Sequence, residues 1–339
     1  MKGFSIIIVT WNGLHHLKKF LPSVAATDYP NYEIIIADNA SSDGTKKWVK
    51  KNYPNIKIAA LDQNYGYCGG NNKAVPFTEK EILLFLNNDV EVTPNWLHGI
   101  NKAFEDEQVA AVQPKMRAYN EPEFFEYAGA AGGFIDKYGY TFCRGRMFDT
   151  LEKDHGQYDT SIDIFWASGA ALAIRKNLFI ETGGFDEDFE FHMEEIDLCW
   201  RIQNLGYTIS YAPESVVYHL GGGSLAMGDP RKVYYNFRNS LAMLWKNYST
   251  SSLFTRFPVR FALDIIAAKK ALISTNTGEY KAIFKAHMFF LKHLPSIHKK
   301  RKQLLKNRTQ DGNPETMVNT NVVFRYFLRS RKTFQELMP

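Results

Sequence analysis

This sequence has few cysteines and no long apolar runs. Cys68, Cys143 and Cys199 are an odd number without paired spacing, which argues against a disulfide framework or a zinc cluster and favours a reducing compartment. No stretch approaches the roughly 18 continuous apolar residues that a membrane-spanning helix requires. The apolar start at 4–9 is too short for a signal peptide. We therefore expect a cytoplasmic protein that does not cross a membrane.

Acidic residues are also scarce, but only in the last third of the chain. Residues 230–339 hold 21 Lys and Arg against 5 Asp and Glu, whereas residues 1–229 hold 20 against 31. Such an imbalance predicts an anionic partner. The basic run 299–302 follows a Phe-rich segment with helical spacing, and basic amphipathic helices lie on anionic membranes. We therefore expect peripheral attachment at the inner face of the cytoplasmic membrane.

The basic charge of this region would also attract nucleic acid. No recognisable nucleic-acid-binding motif accompanies the charge, and we expect no such partner. The region would alternatively be a helical subdomain that packs on the rest of the chain or forms a homo-oligomer contact.

The common phosphate-binding loops are absent as well. No G-x-G-x-x-G follows the first apolar run, and there is no G-x-x-x-x-G-K-[ST] loop. Gly66, Gly69 and Gly70 come only after the third apolar run. Any phosphate must therefore be bound differently, and a divalent ion held by an Asp at a strand end would serve.

The pattern that is present predicts an α/β fold. Four short runs without polar alternation, at 4–10, 32–38, 56–61 and 81–87, are typical of strands covered on both faces of a sheet. Segments with helical spacing separate them, which predicts a Rossmann-like, doubly wound, mostly parallel sheet. We expect a main domain over 1–240 and a basic, amphipathic helical region over 241–339, with a polar loop at 309–321.

Polar residues occur where the predicted strands end. Thr10, Asp38 and Asn64 end or follow the first three strands, and Asn87-Asn88-Asp89 end the fourth. In an open parallel sheet, ligands bind outside the carboxyl ends of the strands. Asn and Asp are also ordinary turn formers, yet their presence at four consecutive strands favours a binding site.

Six ordered motifs between residues 3 and 240 carry a family resemblance. They are VTWNG (9–13), ADNASSDGT (37–45), NYGYCGGNNKA (64–74), LFLNNDVEV (84–92), GGFDEDFEFHMEEIDLCWRIQNLGY (183–207) and YHLGGGS (218–224). In order and spacing they resemble glycosyltransferase family 2, and most of all its bacterial rhamnosyltransferase-like and galactofuranosyltransferase-like branch. The resemblance implies a GT-A fold in which a nucleotide-binding half meets an acceptor-binding half.

The resemblance also assigns residues to the donor. It implies that the nucleotide sugar is bound by Thr10, Asp38, Asn39, Asn64, Gly70, Asn71 and Asn88. Asp89 matches the last acid of the family's D-x-D metal motif, but Asn87 replaces the first. A divalent metal, Mg or Mn, would then need further ligands from phosphate, water and His219, although a histidine beside a strand is often only structural.

On the acceptor side the resemblance implies an acid–base residue. Glu195 stands where the family has an Asp general base, with Glu194 as the neighbouring candidate and Asp197 placed to pair with Arg201. An acid-rich helix N-terminus favoured by the helix dipole would account for these acids more simply. Trp166 and Gly169 match an acceptor-side segment of the family, although Trp is also ordinary core material.

Together these features imply an inverting transferase of cell-surface polysaccharide synthesis. It would move a sugar from a UDP- or dTDP-sugar to a hydroxyl of a glycan or lipid-linked acceptor. Asn87 and Glu195 depart from the family pattern and keep open a catalytically silent protein that binds nucleotide sugar or carbohydrate. A nucleotidyltransferase commonly has a Gly-rich loop after its first strand, and that loop is absent here.

Overall fold

The computed structural model describes residues 1–221, 229–309 and 312–338. Its strands are β1 Phe4–Thr10, β2 Tyr32–Asp38, β3 Lys57–Ala60, β4 Ile82–Leu86, β5 Val90–Val92, β6 Val109–Ala118, β7 Gly133–Asp136, β8 Thr141–Cys143, β9 Arg146–Met147, β10 Thr150–Leu151, β11 Ala171–Arg175, β12 Thr208–His219 and β13 Met317–Val318. Most of the Gly-rich end of the motif at 218–224 lies outside the described residues, as do two residues of the loop expected at 309–321.

Helices separate and follow these strands. They are α1 Leu14–Ala25, α2 Thr45–Asn52, α3 Gly66–Ala74, α4 Trp96–Ala103, α5 Lys176–Glu181, α6 Glu194–Gln203, α7 Pro230–Asn247, α8 Thr250–Thr255, α9 Phe257–Ile273, α10 Thr277–Asn307, α11 Val322–Leu328 and α12 Phe334–Leu337. A single 3₁₀ turn at Val75–Phe77 follows α3. Helices α8, α9 and α10 lie within the region 241–339 that was expected to be helical.

The main sheet has eight strands in the order β3-β2-β1-β4-β11-β6-β12-β5. Strands β1 to β4 pair in parallel, and β11 lies antiparallel between β4 and β6. The four strands predicted from the sequence are therefore found, with the same bounds for β1 and β2. The chain leaves β1 toward β2 on one side and reaches β4 on the other, so the strand order reverses between β1 and β4.

Two apolar layers cover the sheet. Successive side chains of a strand point to opposite faces, and Ile7 belongs to one core cluster whereas Ile6 and Ile8 belong to the other. The same division separates Phe85 from Leu84 on β4. Strands buried on both faces need apolar residues at every position, which explains why these runs show no polar alternation.

A second sheet was not predicted from the sequence. Strands β7 to β10 form an antiparallel meander, and β13 from the C-terminal region pairs in parallel with β7. These strands have two to four residues each, which is too few for a periodic signal. Strand β13 lies inside the segment expected to be only a polar loop, so the C-terminal region contributes to a sheet of the main part.

The C-terminal helices pack on the rest of the chain. Some of their cationic side chains are buried or paired in these contacts, and others are exposed to solvent. Arg301 is buried and donates to the carbonyl oxygens of Trp245 and Tyr248 at 2.9 and 2.7 Å. Lys300 pairs with Asp186 at 2.5 Å. Lys299 and Lys302, which flank Lys300 and Arg301 in the sequence, are exposed. Among the described residues, no helix is long and apolar enough to cross a membrane.

We predict that Asp136→Asn loosens the C-terminal segment. Asp136 is fully buried, one of its carboxylate oxygens accepts from Tyr138 N and Tyr140 N, and the other accepts from Val322 N at 3.0 Å. The amide places a donor against the N–H of Val322, which costs about 1–3 kcal/mol. Hydrogen exchange should rise at residues 317–328, whereas Asp149→Asn, at an exposed acid, should change nothing. Unaltered exchange in Asp136→Asn contradicts this account.

Candidate active site

Polar side chains meet where the strand order reverses. Asn88, just after β4, donates through Nδ2 to Oγ1 of Thr10 at the end of β1, at 3.0 Å. Asp38 ends the neighbouring strand β2 and is fully buried, with one oxygen 3.7 Å from Nζ of Lys46. These residues follow different strands yet lie at one edge of the sheet, as the sequence predicted. Their contact with a nucleotide stays a prediction.

Helix α3 begins beside this edge and carries the predicted glycine. Nδ2 of Asn39 donates to the carbonyl of Gly66 at 2.9 Å. A Cβ on Gly70 would lie 2.7 Å from Nδ2 of Asn39, so only glycine lets the helix approach this closely. Asn71 is buried and donates to Tyr67 O, and the exposed Asn64 accepts from Gly66 N at 2.9 Å. The loop is thereby fixed next to the sheet edge.

Asp89 and His219 meet although they lie far apart in the sequence. Nε2 of His219 lies 3.2 Å from Oδ1 of Asp89, and Nδ1 of His219 lies 3.1 Å from Oε1 of Glu126. Strands β5 and β12 pair His219 with Val90, which brings the two residues together. Glu126 was missed because nothing in the local sequence links it to a histidine so distant along the chain.

The arrangement fits a divalent cation bound by Asp89 and His219. Two atoms that each lie about 2.1 Å from one ion are separated by about 3 Å, close to the observed 3.2 Å. Glu126 would orient the imidazole from its other nitrogen, as carboxylates commonly do beside metal-binding histidines. Among the described residues no group of three or more His, Cys, Asp or Glu is placed to hold a metal, so phosphate and water would supply the remaining ligands.

Without a cation, this cluster holds a proton. Burial lowers the pKa of His219, but the adjacent Glu126 and Asp89 outweigh burial and raise it to about 10. Burial also acts to raise the pKa of Asp89, but the bond with His219 leaves that pKa below its ordinary value. A bound cation would take the place of the imidazole proton.

The antiparallel strand β11 connects the strand end of Asp89 to the acids of α6. The N–H of Asn87 donates to Ala170 O at 3.0 Å. The preceding residue, Gly169, accepts from the hydroxyl of Tyr67 at 2.6 Å. A Cβ on Gly169 would lie 3.7 Å from Cβ of Glu195. One short segment therefore lies between the candidate metal ligand and the candidate base. A Cβ on its glycine would lie 2.9 Å from the hydroxyl oxygen of Tyr67.

Glu194 and Glu195 carry strongly perturbed carboxyl groups. Glu194 is 8% exposed, and one oxygen of each side chain is buried without a hydrogen-bond partner among the described residues. Burial, and then the charge of Glu195, raise the pKa of Glu194 well above its ordinary value. Burial raises the pKa of Glu195 to about 7. A carboxyl group that titrates near neutral pH is matched to proton transfer.

Asp197 on the same helix has a different environment. It is fully buried and accepts from Nε of Arg201 at 2.9 Å, from Nζ of Lys246 at 3.0 Å and from Nδ2 of Asn247 at 2.7 Å. The pair with Arg201 is present as predicted. Because its charge is compensated on several sides, Asp197 serves the structure of α6. The two glutamates have no such partners in the ranges 1–221, 229–309 and 312–338.

Trp166 is placed differently from what the sequence indicated, and Trp11 is an exposed aromatic residue that the sequence did not single out. Trp166 is 3% exposed, and its Nε1 donates to Phe134 O at 2.9 Å. The ring lies against Gly133, so it is part of the core and presents no open face for an acceptor sugar. Trp11, within VTWNG, is 57% exposed directly after the end of β1. Its exposed ring beside the site could not be inferred from the motif alone.

Comparison with known proteins agrees with this geometry. The model for glycosyl transferase family 2 matches residues 5–175, about half of the chain. A mannosyltransferase from Pyrobaculum calidifontis, solved in complex with GDP-Man and Mn2+, superposes with a TM-score of 0.53 at 16% identity. The similarity covers 91% of this chain and 86% of that one, and it confirms the expected GT-A fold.

Two curated relatives are rhamnosyltransferases. N-acetylglucosaminyl-diphospho-decaprenol L-rhamnosyltransferase of Mycobacterium tuberculosis is 26% identical over 235 residues, covering 63% of this chain and 75% of the relative. A rhamnosyltransferase of Escherichia coli is 25% identical over 221 residues, covering 63% and 82%. The chain belongs to glycosyl transferase family 2 and is a glycosyltransferase similar to the rhamnosyltransferases of that family.

Proposed function

We propose that this glycosyltransferase inverts the anomeric centre as it moves a sugar from a UDP- or dTDP-sugar to a hydroxyl of a glycan or lipid-linked acceptor. The observation that carries the proposal is the placement of Glu195 beside Gly169, next to the strand end that bears Asp89. The relative whose name gives N-acetylglucosaminyl-diphospho-decaprenol supports a lipid-linked acceptor, and we extend this to a role in cell-surface polysaccharide synthesis. A 1–240 catalytic domain with a helical region over 241–339 remains our interpretation of the chain.

The donor would lie along the carboxyl ends of β1, β2 and β4. The exposed ring of Trp11 offers a face for the nucleobase, and Asp38 and Asn39 would bind the ribose. Asp89 and His219 would hold a divalent metal, which when bound neutralises the charge of the diphosphate. Gly169, rather than the buried Trp166, would border the acceptor.

The transfer itself needs one proton acceptor. The acceptor oxygen attacks the anomeric carbon as the bond from that carbon to the diphosphate oxygen breaks, and the nucleoside diphosphate departs with the electron pair. Glu195 takes the proton of the attacking hydroxyl. Attack opposite to the departing phosphate inverts the configuration, by the geometry that operates in inverting glycosidases.

Helices α9 and α10 would hold the enzyme at an anionic membrane. Ile266 and Ile273 are 61% and 83% exposed two turns apart on α9, and Phe284 and Met288 are 54% and 48% exposed one turn apart on α10. Residues 257–307 contain only two acids, and one of these, Asp264, is buried. Each cation near an anionic surface contributes about 1 kcal/mol, so the charge favours lipid over an uncharged partner.

Release of nucleoside diphosphate tests the proposed function. The purified chain is incubated with a bacterial lipid extract and, in turn, with UDP-N-acetylglucosamine, UDP-galactose, dTDP-L-rhamnose and GDP-mannose. We expect release from a uridine or thymidine donor that depends on the extract. No release from any donor would favour the silent binding protein.

We predict that donor binding depends on a divalent metal. Calorimetry should show tighter binding of the accepted donor with Mn²⁺ than with chelator, because Asp89 and His219 alone cannot neutralise a diphosphate. Asp89→Asn should abolish the difference, and His219→Ala should reduce it. Glu126→Gln should weaken Mn²⁺ binding by about 10- to 100-fold. Glu91→Gln is the matched control, and equal donor affinity with and without metal contradicts the assignment.

We predict that Glu195→Gln lowers turnover about 100-fold or more, within the range of acid–base catalysis, while donor affinity stays unchanged. The base must be ionised, and burial raises its pKa to about 7. Turnover should therefore fall as the pH drops below about 7. Glu194→Gln should cost less. An inactive Glu194→Gln beside an active Glu195→Gln would transfer the role to Glu194.

We predict that the double variant Ile266→Asp, Phe284→Asp loses vesicle binding. Wild-type chain should sediment with phosphatidylglycerol vesicles at low salt and less so at high salt, since salt screens the cations. The variant should stay in the supernatant. Ile180→Asp changes an equally exposed residue, at 57%, on α5 and should sediment normally. If the wild-type chain does not sediment with the vesicles, we would interpret these helices as a packing or oligomer element.

A further inference from the structure

The segment that leads into α6 has an unusual backbone. His192 and Met193 have φ angles of 67° and 73°, and they directly precede Glu194 and Glu195. Non-glycine residues rarely adopt this left-handed conformation, and two in succession are rarer still. Such a conformation persists only where neighbouring groups fix it. Residues 186–193, named here the base loop, therefore depend on contacts from elsewhere.

Helix α7 supplies those contacts. The single amide nitrogen Nδ2 of Asn239 donates to two consecutive carbonyls, Phe191 O at 2.7 Å and His192 O at 2.8 Å. Asn239 is 1% exposed, so both bonds are shielded from water. Each hydrogen of the amide has its own acceptor, and no other side-chain type provides this pair of donors at the same length.

The neighbouring residue extends the same contact. Arg238 is 4% exposed and donates to Asp188 O at 2.8 Å and to Oε1 of Glu190 at 3.1 Å. Its Nε donates to Oδ1 of Asn239 at 2.8 Å, which orients the amide so that its nitrogen faces the base loop. The two adjacent side chains thus form one connected network.

The same helix also contacts α6 itself. Lys246 and Asn247 lie two turns after Asn239 and therefore on nearly the same face of α7. They donate to Asp197 at 3.0 and 2.7 Å. Helix α7 thereby fixes the backbone before the two glutamates and also the helix that carries them.

We propose that Asn239 is a positioning residue that sets the location of the Glu195 carboxylate, beside Gly169, through the backbone of Phe191 and His192. The proposal rests on the proposed function of Glu195. Asn239 lies in α7, outside the segment matched by the family model. Its side-chain hydrogen bonds to described residues go to Arg238, Phe191 and His192 and not to the donor edge of the sheet. Its loss should therefore alter proton transfer and leave donor binding intact.

The test compares Asn239→Leu, which keeps the volume but removes both donors, with Asn239→Gln, which retains an amide. Leu241→Ala is the matched control, because Leu241 is fully buried on the same helix and its truncation lowers stability without removing these bonds. For each variant we would measure turnover of the accepted donor against pH, donor affinity by calorimetry, and hydrogen exchange at residues 188–195.

Asn239→Leu should lower kcat about 10- to 100-fold, the cost of a misplaced catalytic group, at unchanged donor affinity. The acidic limb of its pH profile should move to lower pH as Glu195 becomes more solvated. Exchange in the base loop should rise. Asn239→Gln should recover part of kcat, and Leu241→Ala should keep the wild-type pH limb.

The proposal would be overturned if Asn239→Leu kept the wild-type kcat, pH profile and hydrogen exchange. It would also be overturned if Leu241→Ala showed the changes expected of Asn239→Leu. If Asn239→Leu does not fold, Asn239→Gln decides alone, since a wild-type pH limb together with a lowered melting temperature would make the role structural. A wild-type chain inactive on every donor would instead contradict the proposed function, and exchange in the variants would still report whether Asn239 orders the loop.

Discussion

The site depends on two neighbouring carboxyl groups, Glu194 and Glu195, that have no cationic partner among the residues the structure describes. Removing a carboxylate from water is unfavourable unless its charge is compensated, and Asp197 shows how the chain does so elsewhere, with Arg201, Lys246 and Asn247 around it. Within the described part of the chain, Glu194 and Glu195 have no such compensating partners. Their environment raises their pKa values, and the left-handed backbone before them needs support from α7. The packing of α7 is therefore tied to the positions of the two glutamates.

The sheet also brings the proposed donor site and the proposed base close together. Asp89 follows β4, whereas Glu195 starts a helix more than a hundred residues later. Strand β11 runs antiparallel beside β4, so Ala170 pairs with Asn87 at the strand end. Gly169 then lies between the two halves. A strand parallel to β4 would end at this edge. An antiparallel strand such as β11 begins there and leads back into the sheet.

The elements that could be predicted from the sequence were those with a long and regular hydrophobic pattern. Strands β1 and β2 were predicted with their observed bounds because strands buried on both faces carry an unbroken apolar run. The strand-end residues Thr10 and Asn88 were predicted to converge, and they share a hydrogen bond. The short strands of the second sheet carry no such pattern. Glu126 and Asn239 act through contacts between distant segments, and single-sequence periodicity holds no information on such pairs.

We propose that the acceptor hydroxyl attacks the anomeric carbon directly, opposite to the departing diphosphate, with Glu195 as the base. The most direct measurement is the anomeric configuration of the product, determined by proton NMR of the sugar transferred from the donor that the chain accepts. We expect a product whose anomeric configuration is opposite to that of the donor. Retention of the donor configuration would contradict this proposal, because a single direct displacement cannot give that outcome.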